Sequence, residues 1–120
     1  MNKEHQLQST CVRWFRLQYP NYKRLLFAIP NGAYLQGSPL QRAKRWKYME
    51  AEGAQSGVVD LFLAVPNKDY HGLFIEMKVK PNTVSNDQLE FMHIVSAQGY
   101  ATIVCYSFEK FVHVIEMYLQ

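Results

Sequence analysis

The spacing of apolar residues changes along the chain, and these changes predict where helices and strands begin and end. Near the N-terminus, Leu7, Cys11, Val12 and Phe15 follow three-to-four spacing, which predicts an amphipathic helix from residue 2 or 3 to about residue 19. Four shorter runs are rich in branched and aromatic residues and therefore predict strands. These runs are 24–29, 58–65, 73–79 and 101–106.

Three further helices are predicted, and each begins after a serine, a residue type whose hydroxyl caps helix N-termini. Ser38 precedes a proline at the first helical position, and Ser85 forms a capping-box pattern with Gln88. Ser107 starts the last of the three. A glycine follows each of the first two helices, as is common at helix C-termini. The predicted helices are 38–52, 85–98 and 107–118.

The predicted order of elements is α-β-α-β-β-α-β-α. A short turn at 66–72 predicts an antiparallel strand pair, and the strand–helix–strand segment from 73 to 106 predicts a parallel pair. We therefore expect an α/β fold with a mixed central β-sheet flanked by α-helices on both faces. At 120 residues, 48% hydrophobic and 19% charged, the chain is expected to form one domain over residues 1–120.

The sequence gives no sign of a membrane or secreted protein. No apolar run approaches the roughly 20 residues that span a bilayer, and the polar N-terminus is unlike a signal peptide. Cys11 and Cys105 lie far apart, without the C-x-x-C spacing of redox or zinc motifs. We therefore expect two reduced, buried thiols in a cytoplasmic protein.

Charge is unevenly distributed between the two halves of the chain. Residues 1–50 carry nine Lys and Arg against two acidic residues, whereas residues 51–120 carry four against eight. The second predicted helix concentrates four of the cations, with Trp46 and Tyr48 between them, which fits contact with a phosphate backbone. An ordinary solvated helix face is the alternative. The four cations are Arg42, Lys44, Arg45 and Lys47.

The strand at 73–79 contains two charged residues that its apolar neighbours do not explain. Glu76 and Lys78 are two residues apart, so alternation places them on one face together with Phe74. Asp60 is the lone charge in the preceding predicted strand, and the hairpin between the two strands lets the two carboxylates converge. Two carboxylates with water and a backbone carbonyl suit Mg²⁺ or Mn²⁺. A half-exposed strand with an unremarkable Glu/Lys pair is the alternative.

Several motifs, in order along nearly the whole chain, resemble the virus-type replication-repair nuclease (VRR-NUC) domain. This domain is a branch of the PD-(D/E)xK, restriction-endonuclease-like superfamily. The motifs are Glu4 with Gln8, Pro-Asn-Gly at 30–32, Gly-Val-Val-Asp-Leu at 57–61, Gly-Leu-Phe-Ile-Glu-Met-Lys at 72–78, Ser85 with Gln88, and Gly-Tyr at 99–100.

The resemblance implies a phosphodiesterase that depends on Mg²⁺ or Mn²⁺. Asp60 and Glu76 would be metal ligands, Met77 would contribute its backbone carbonyl, and Lys78 would be catalytic. Glu4 would assist the metal centre, directly or through water, although a carboxylate in a first helical turn also complements the helix dipole.

The resemblance also implies partners. Gln88 would support the catalytic site or contact the nucleic-acid backbone, and Asn31 and Lys80 would join the basic helix in binding DNA. Small stand-alone viral or prophage members are similar to Holliday junction resolvases. The expected protein is therefore a homodimeric endonuclease that cuts branched DNA, such as junctions or flaps, in replication, recombination or repair.

The sequence departs from the superfamily pattern at two positions, and these limit which residue roles can be transferred to this chain. Val59 replaces the proline of the PD motif, a change that a strand position tolerates. Gln88 is followed by Met92 rather than the tyrosine of the RecB-type pattern, and the capping box gives Gln88 a structural role. A catalytically inactive DNA-binding module with the same fold is the main alternative function.

Overall fold

A computed structural model describes residues 2–30 and 35–120 of the chain. Within these ranges the helices and strands follow the predicted order, with one additional 3-10 turn at Pro20–Tyr22. The elements are α1 (Lys3–Gln18), β1 (Leu26–Ala28), α2 (Pro39–Ala51), β2 (Leu61–Leu63), β3 (Leu73–Met77), α3 (Asn86–Ala97), β4 (Ala101–Cys105) and α4 (Phe108–Tyr118). The mixed α/β fold is confirmed.

The four strands form one sheet in the order β1-β2-β3-β4. The pairs β1/β2 and β2/β3 are antiparallel, and β3/β4 is parallel. Helix α3 makes the parallel connection, and the 66–72 turn makes the antiparallel one, as predicted. Both carboxylates of interest therefore lie at the same end of the two central strands.

Helices cover the sheet on both faces. Leu73, Ile75 and Met77 of β3 are buried in the main core with residues of α1 and α4. Phe74 points to the other face, where its ring lies 5.3 Å from that of Phe91 on α3. The predicted division of side chains between the faces of β3 is confirmed. Burying one such large apolar side chain contributes about 1.5–3 kcal/mol to stability.

All four strands are shorter than predicted, and β1 and β2 are shortened most; β3 ends at Met77 and β4 at Cys105. The predicted 24–29 and 58–65 reduce to three residues each, so Asp60 precedes β2 instead of lying within it. Side chains explain where the β2/β3 ladder ends. The backbone N–H of Asp60 donates to Glu76, and that of Met77 donates to Asp60, so carboxylates take the place of strand carbonyls as acceptors.

The predicted serine caps are confirmed at all three helices. The hydroxyls of Ser38, Ser85 and Ser107 each accept a backbone N–H three residues later. Gln88 completes the predicted capping box of α3, and Gln41 completes one in α2 that the sequence reading did not include. These contacts satisfy backbone donors that have no partner within the helix.

Helix α2 differs from the other helices because none of its residues is buried. Leu40 and Tyr48 are 66% and 78% exposed. Only Trp46 and Met49 are half-buried. Helix α2 therefore flanks the sheet without joining its core.

Both cysteines are free and buried, in agreement with the predicted buried thiols. Burial raises the pKa of Cys105 to about 11. In the part of the chain that the structure describes, no helix has the length and apolar character needed to cross a membrane.

A candidate active site where strands β2 and β3 end

Asp60 and Glu76 hold each other in place at the end of the β2/β3 pair. Asp60 N–H donates to Glu76 Oε1 over 3.2 Å, and Met77 N–H donates to Asp60 Oδ2 over 2.8 Å. Each carboxylate is thus fixed by a backbone donor of the opposite strand. The convergence expected from the hairpin is present in the structure.

Both carboxyl groups resist ionisation. Burial raises the pKa of Glu76 to about 7, and the nearby charge of Asp60 adds to this increase. Burial also raises the pKa of Asp60, against the lowering effect of the bond from Met77. Two like charges withdrawn from water are costly without a cation or a proton between them. The pair therefore binds protons unusually tightly for carboxylates.

Two further side chains contact Glu76 at Oε2. Lys78 Nζ lies 3.5 Å from this oxygen, and Gln88 Nε2 donates to it over 2.9 Å. The Oε1 of Gln88 accepts the N–H of Ser85 at the start of α3. Gln88 therefore caps its helix and contacts the candidate site at the same time.

Glu4 approaches the site from α1 but bonds to a different residue. Its carboxylate accepts a hydrogen bond of 3.1 Å from the side chain of Asn82, in the loop between β3 and α3. The charge of Glu4 contributes to the raised pKa of Asp60, so the two groups are electrostatically coupled. Asn82 was not among the predicted site residues, because its sequence context indicates only a turn.

The donor set suits a hard divalent cation. Asp60 and Glu76 offer carboxylate oxygens whose pKa values are raised mainly by burial. Like charge adds to this increase, from Asp60 at Glu76 and from Glu4 at Asp60, and a cation would offset both effects. Residues 2–30 and 35–120 contain no group of three or more His, Cys, Asp and Glu side chains placed to hold a metal. Glu4 thus does not complete a three-carboxylate cluster, and the predicted ligand roles of Asp60, Glu76 and Met77 stay predictions.

A cleft of about 350 Å³ opens beside Asp60. Its lining is mainly apolar and comes from α1, the end of β1, the segment before α2, and α2 itself. The lining residues are Gln8, Ala28, Ile29, Pro30, Leu35, Met49 and Asp60. Asp60 is thus accessible from a space large enough for part of a nucleotide.

The described residues among the predicted nucleic-acid contacts all lie on the protein surface. All four cations of α2 are exposed, and Arg42 Nη1 donates to the carbonyl of Gly37 over 2.8 Å. Met49 brings the same helix to the Asp60 cleft. Lys80 is exposed near the ring of Tyr106, with Nζ 5.7 Å from its centroid. Asn31 lies outside the described residues.

A comparison with known families identifies the domain. The VRR-NUC domain model matches residues 2–109, which include every candidate site residue discussed above. The chain belongs to the VRR-NUC family.

A solved structure described as a VRR_NUC domain protein is similar to this VRR-NUC chain throughout. The TM-score is 0.78 at 22% sequence identity, over 99% of this chain and 89% of that one. No functionally curated protein matches the chain. The family and the structural likeness together establish a nuclease-type fold. In this domain, Val59 stands where the superfamily motif has proline, and its side chain is fully buried.

Proposed function

We propose that this VRR-NUC domain is a Mg²⁺- or Mn²⁺-dependent DNA endonuclease. The observation that supports the proposal best is the pairing of buried Glu76 with half-buried Asp60, with Lys78 and Gln88 both in contact with Glu76 Oε2. Carboxylates withdrawn from water, with a cationic neighbour and beside an open cleft, are characteristic of catalytic sites.

The proposed roles combine the family resemblance with the observed contacts. Asp60, Glu76 and the Met77 carbonyl would hold the cation, with Glu4 assisting through water. The bound cation would acidify a water molecule and neutralise charge on the scissile phosphate. Lys78 is half-buried, so its ammonium is poorly screened and would stabilise negative charge that develops on the phosphate.

Gln88 and Asn82 would act by positioning. Gln88 fixes the orientation of the Glu76 carboxylate, and Asn82 links the Glu4 carboxylate to the loop that follows β3. The exposed cations of α2 would hold the phosphate backbone without reading bases. We further propose that the enzyme works as a homodimer on branched DNA, in viral or prophage DNA replication, recombination or repair.

The test uses four-way-junction, flap and plain duplex DNA with the purified protein. Cleavage is expected with Mg²⁺ or Mn²⁺ and is expected to stop in EDTA. Lys78→Ala should abolish cleavage and leave DNA binding largely intact, whereas Lys68→Ala, at an exposed lysine of the β2–β3 turn, should leave both unchanged.

Three results would each contradict part of the proposal. Full cleavage by Lys78→Ala would remove the catalytic role of this lysine. DNA binding without cleavage under every metal condition would favour the inactive binding module instead. Equal rates on branched and plain duplex substrates would reject selectivity for branched DNA.

A further inference from the structure

A groove on the exposed side of α1 belongs neither to the carboxylate site nor to the basic helix α2. It has a volume of about 430 Å³. Its described lining comes entirely from α1, at positions three or four residues apart that form one stripe along the helix. The residues of this α1 groove are His5, Gln8, Ser9, Val12, Arg13, Arg16 and Leu17.

The α1 groove adjoins the cleft that opens beside Asp60. Gln8 lines both the groove and the cleft that contains Asp60. At the other end, Arg16 also lines a third cleft, of about 340 Å³, together with Lys23, Arg24 and Phe27. An extended surface path therefore runs from Asp60 along α1 to the edge strand β1.

This path is strongly basic. Arg13, Arg16, Lys23 and Arg24 are all exposed, and the structure shows no ion pair for any of them in the residues it describes. The reason lies in the sequence, because no aspartate or glutamate occurs between Glu4 and Glu50. Four cations without an ion pair, lining these two adjoining clefts, generate a positive field that attracts a polyanion.

We propose that the α1 groove and the adjoining cleft at Arg16 carry one nucleic-acid strand away from the active site. Its phosphates are held by Arg13 and Arg16 in the groove and by Lys23 and Arg24 in the cleft. This inference rests on the nuclease function proposed above. From Gln8 to Arg16 the helix rises about 12 Å, enough for three to four nucleotides at about 3.4 Å each. Phe27, 46% exposed beside the last two cations, offers a ring on which a base can stack.

The experiment compares two variants that each remove two positive charges. Arg13→Gln/Arg16→Gln changes the groove, and Lys68→Gln/Lys110→Gln changes exposed lysines on the β2–β3 turn and α4. Binding of fluorescent four-way-junction DNA is measured in EDTA across a salt series, and oligomeric state by sedimentation velocity. Circular dichroism melts verify that both variants are folded.

The groove variant should bind DNA on the order of tenfold more weakly than wild type. The slope of log K against the logarithm of the salt concentration should become less steep by roughly 1.5 to 2. The control variant should keep most of the affinity and the slope.

If both variants lose DNA affinity equally, the proposal is overturned. The same holds if the groove variant changes the oligomeric state without changing the salt slope. If wild type binds and cuts DNA but the groove variant binds equally well, this inference fails while the proposed function stands. Absence of both binding and cleavage in wild type would reject the proposed function itself.

Discussion

The side-chain amide of Gln88 forms hydrogen bonds with both the start of its own helix and the Glu76 carboxylate. Its oxygen accepts from Ser85 N–H in the capping box, and its nitrogen donates to Glu76 Oε2. Glutamate also completes capping boxes, but here it would place a third carboxylate against Glu76 and Asp60. The position therefore requires an amide. The same amide group caps helix α3 and contacts the candidate site.

Removing this amide should cost more than removing an ordinary cap. Gln88→Ala is expected to lower the free energy of unfolding by about 2 kcal/mol, because it loses the cap and a hydrogen bond to a buried carboxylate. Gln41→Ala removes the equivalent capping-box residue of α2 and should cost no more than about 1 kcal/mol. Urea denaturation of the two variants gives the comparison. Equal losses would mean that the contact with Glu76 contributes nothing to stability.

The raised pKa of Glu76 predicts an unusual pH dependence for the metal-free protein. Its ordinary pKa of 4.5 rises to about 7 in the folded state, so the folded protein retains a proton that the unfolded chain loses. Stability should therefore fall as pH rises from about 4.5 to 7, by up to about 3 kcal/mol. Thermal melts in EDTA across this range measure the effect.

Glu76→Gln should remove most of this decline, because the amide does not titrate. Glu116→Gln, at an exposed glutamate of α4, is the matched control and should follow the wild-type profile. Parallel profiles for all three proteins would show that Glu76 ionises normally.

At the scale of elements, Gly57 determines how the loop before β2 meets α3. Its φ of +78° lies in the left-handed region, and an added Cβ would lie 2.5 Å from the carbonyl oxygen of Asp87. The loop can pass this close to the start of α3 only without a side chain. Since Asp60 follows three residues later, this close passage also places the carboxylate.

A matched pair of glycine variants separates strain from steric conflict. Gly53 also has positive φ, at +110°, but nothing lies within 4 Å of an added Cβ. Gly53→Ala should cost about 1 kcal/mol from backbone strain alone, whereas Gly57→Ala should cost about 2–4 kcal/mol and reduce cleavage. Denaturation and cleavage assays measure both effects. Equal stability of the two variants would show that the loop moves freely away from α3.

The elements themselves were largely predictable, whereas their ends were not. Serine caps and apolar spacing are local signals, so the helices agree closely with the sequence expectation. The ends of β2 depend on the bonds of Asp60 and Glu76 across the ladder, which no local pattern encodes. Asn82 escaped prediction for the same reason, since its bond to Glu4 joins residues 78 positions apart.

At the scale of the whole molecule, the mixed sheet brings distant parts of the sequence to one end. The antiparallel β2/β3 pair aligns Asp60 with Glu76, and α3 returns Gln88 over the same strand end. Helix α1 contributes Glu4 from the start of the chain. The order of elements and the hairpin could be read from sequence, but the docking of α1 depends on packing against α4 and the sheet, which only the structure provides.

The exposed position of α2 has an energetic consequence of its own. A 13-residue helix without buried side chains gains little from tertiary packing, and isolated helices of this length are only marginally formed in water. Its opening is then nearly independent of global unfolding. Ordering α2 is part of the free energy of any complex it forms, so substitutions that change helix propensity on its exposed face would tune affinity while leaving the melting temperature of the domain almost unchanged.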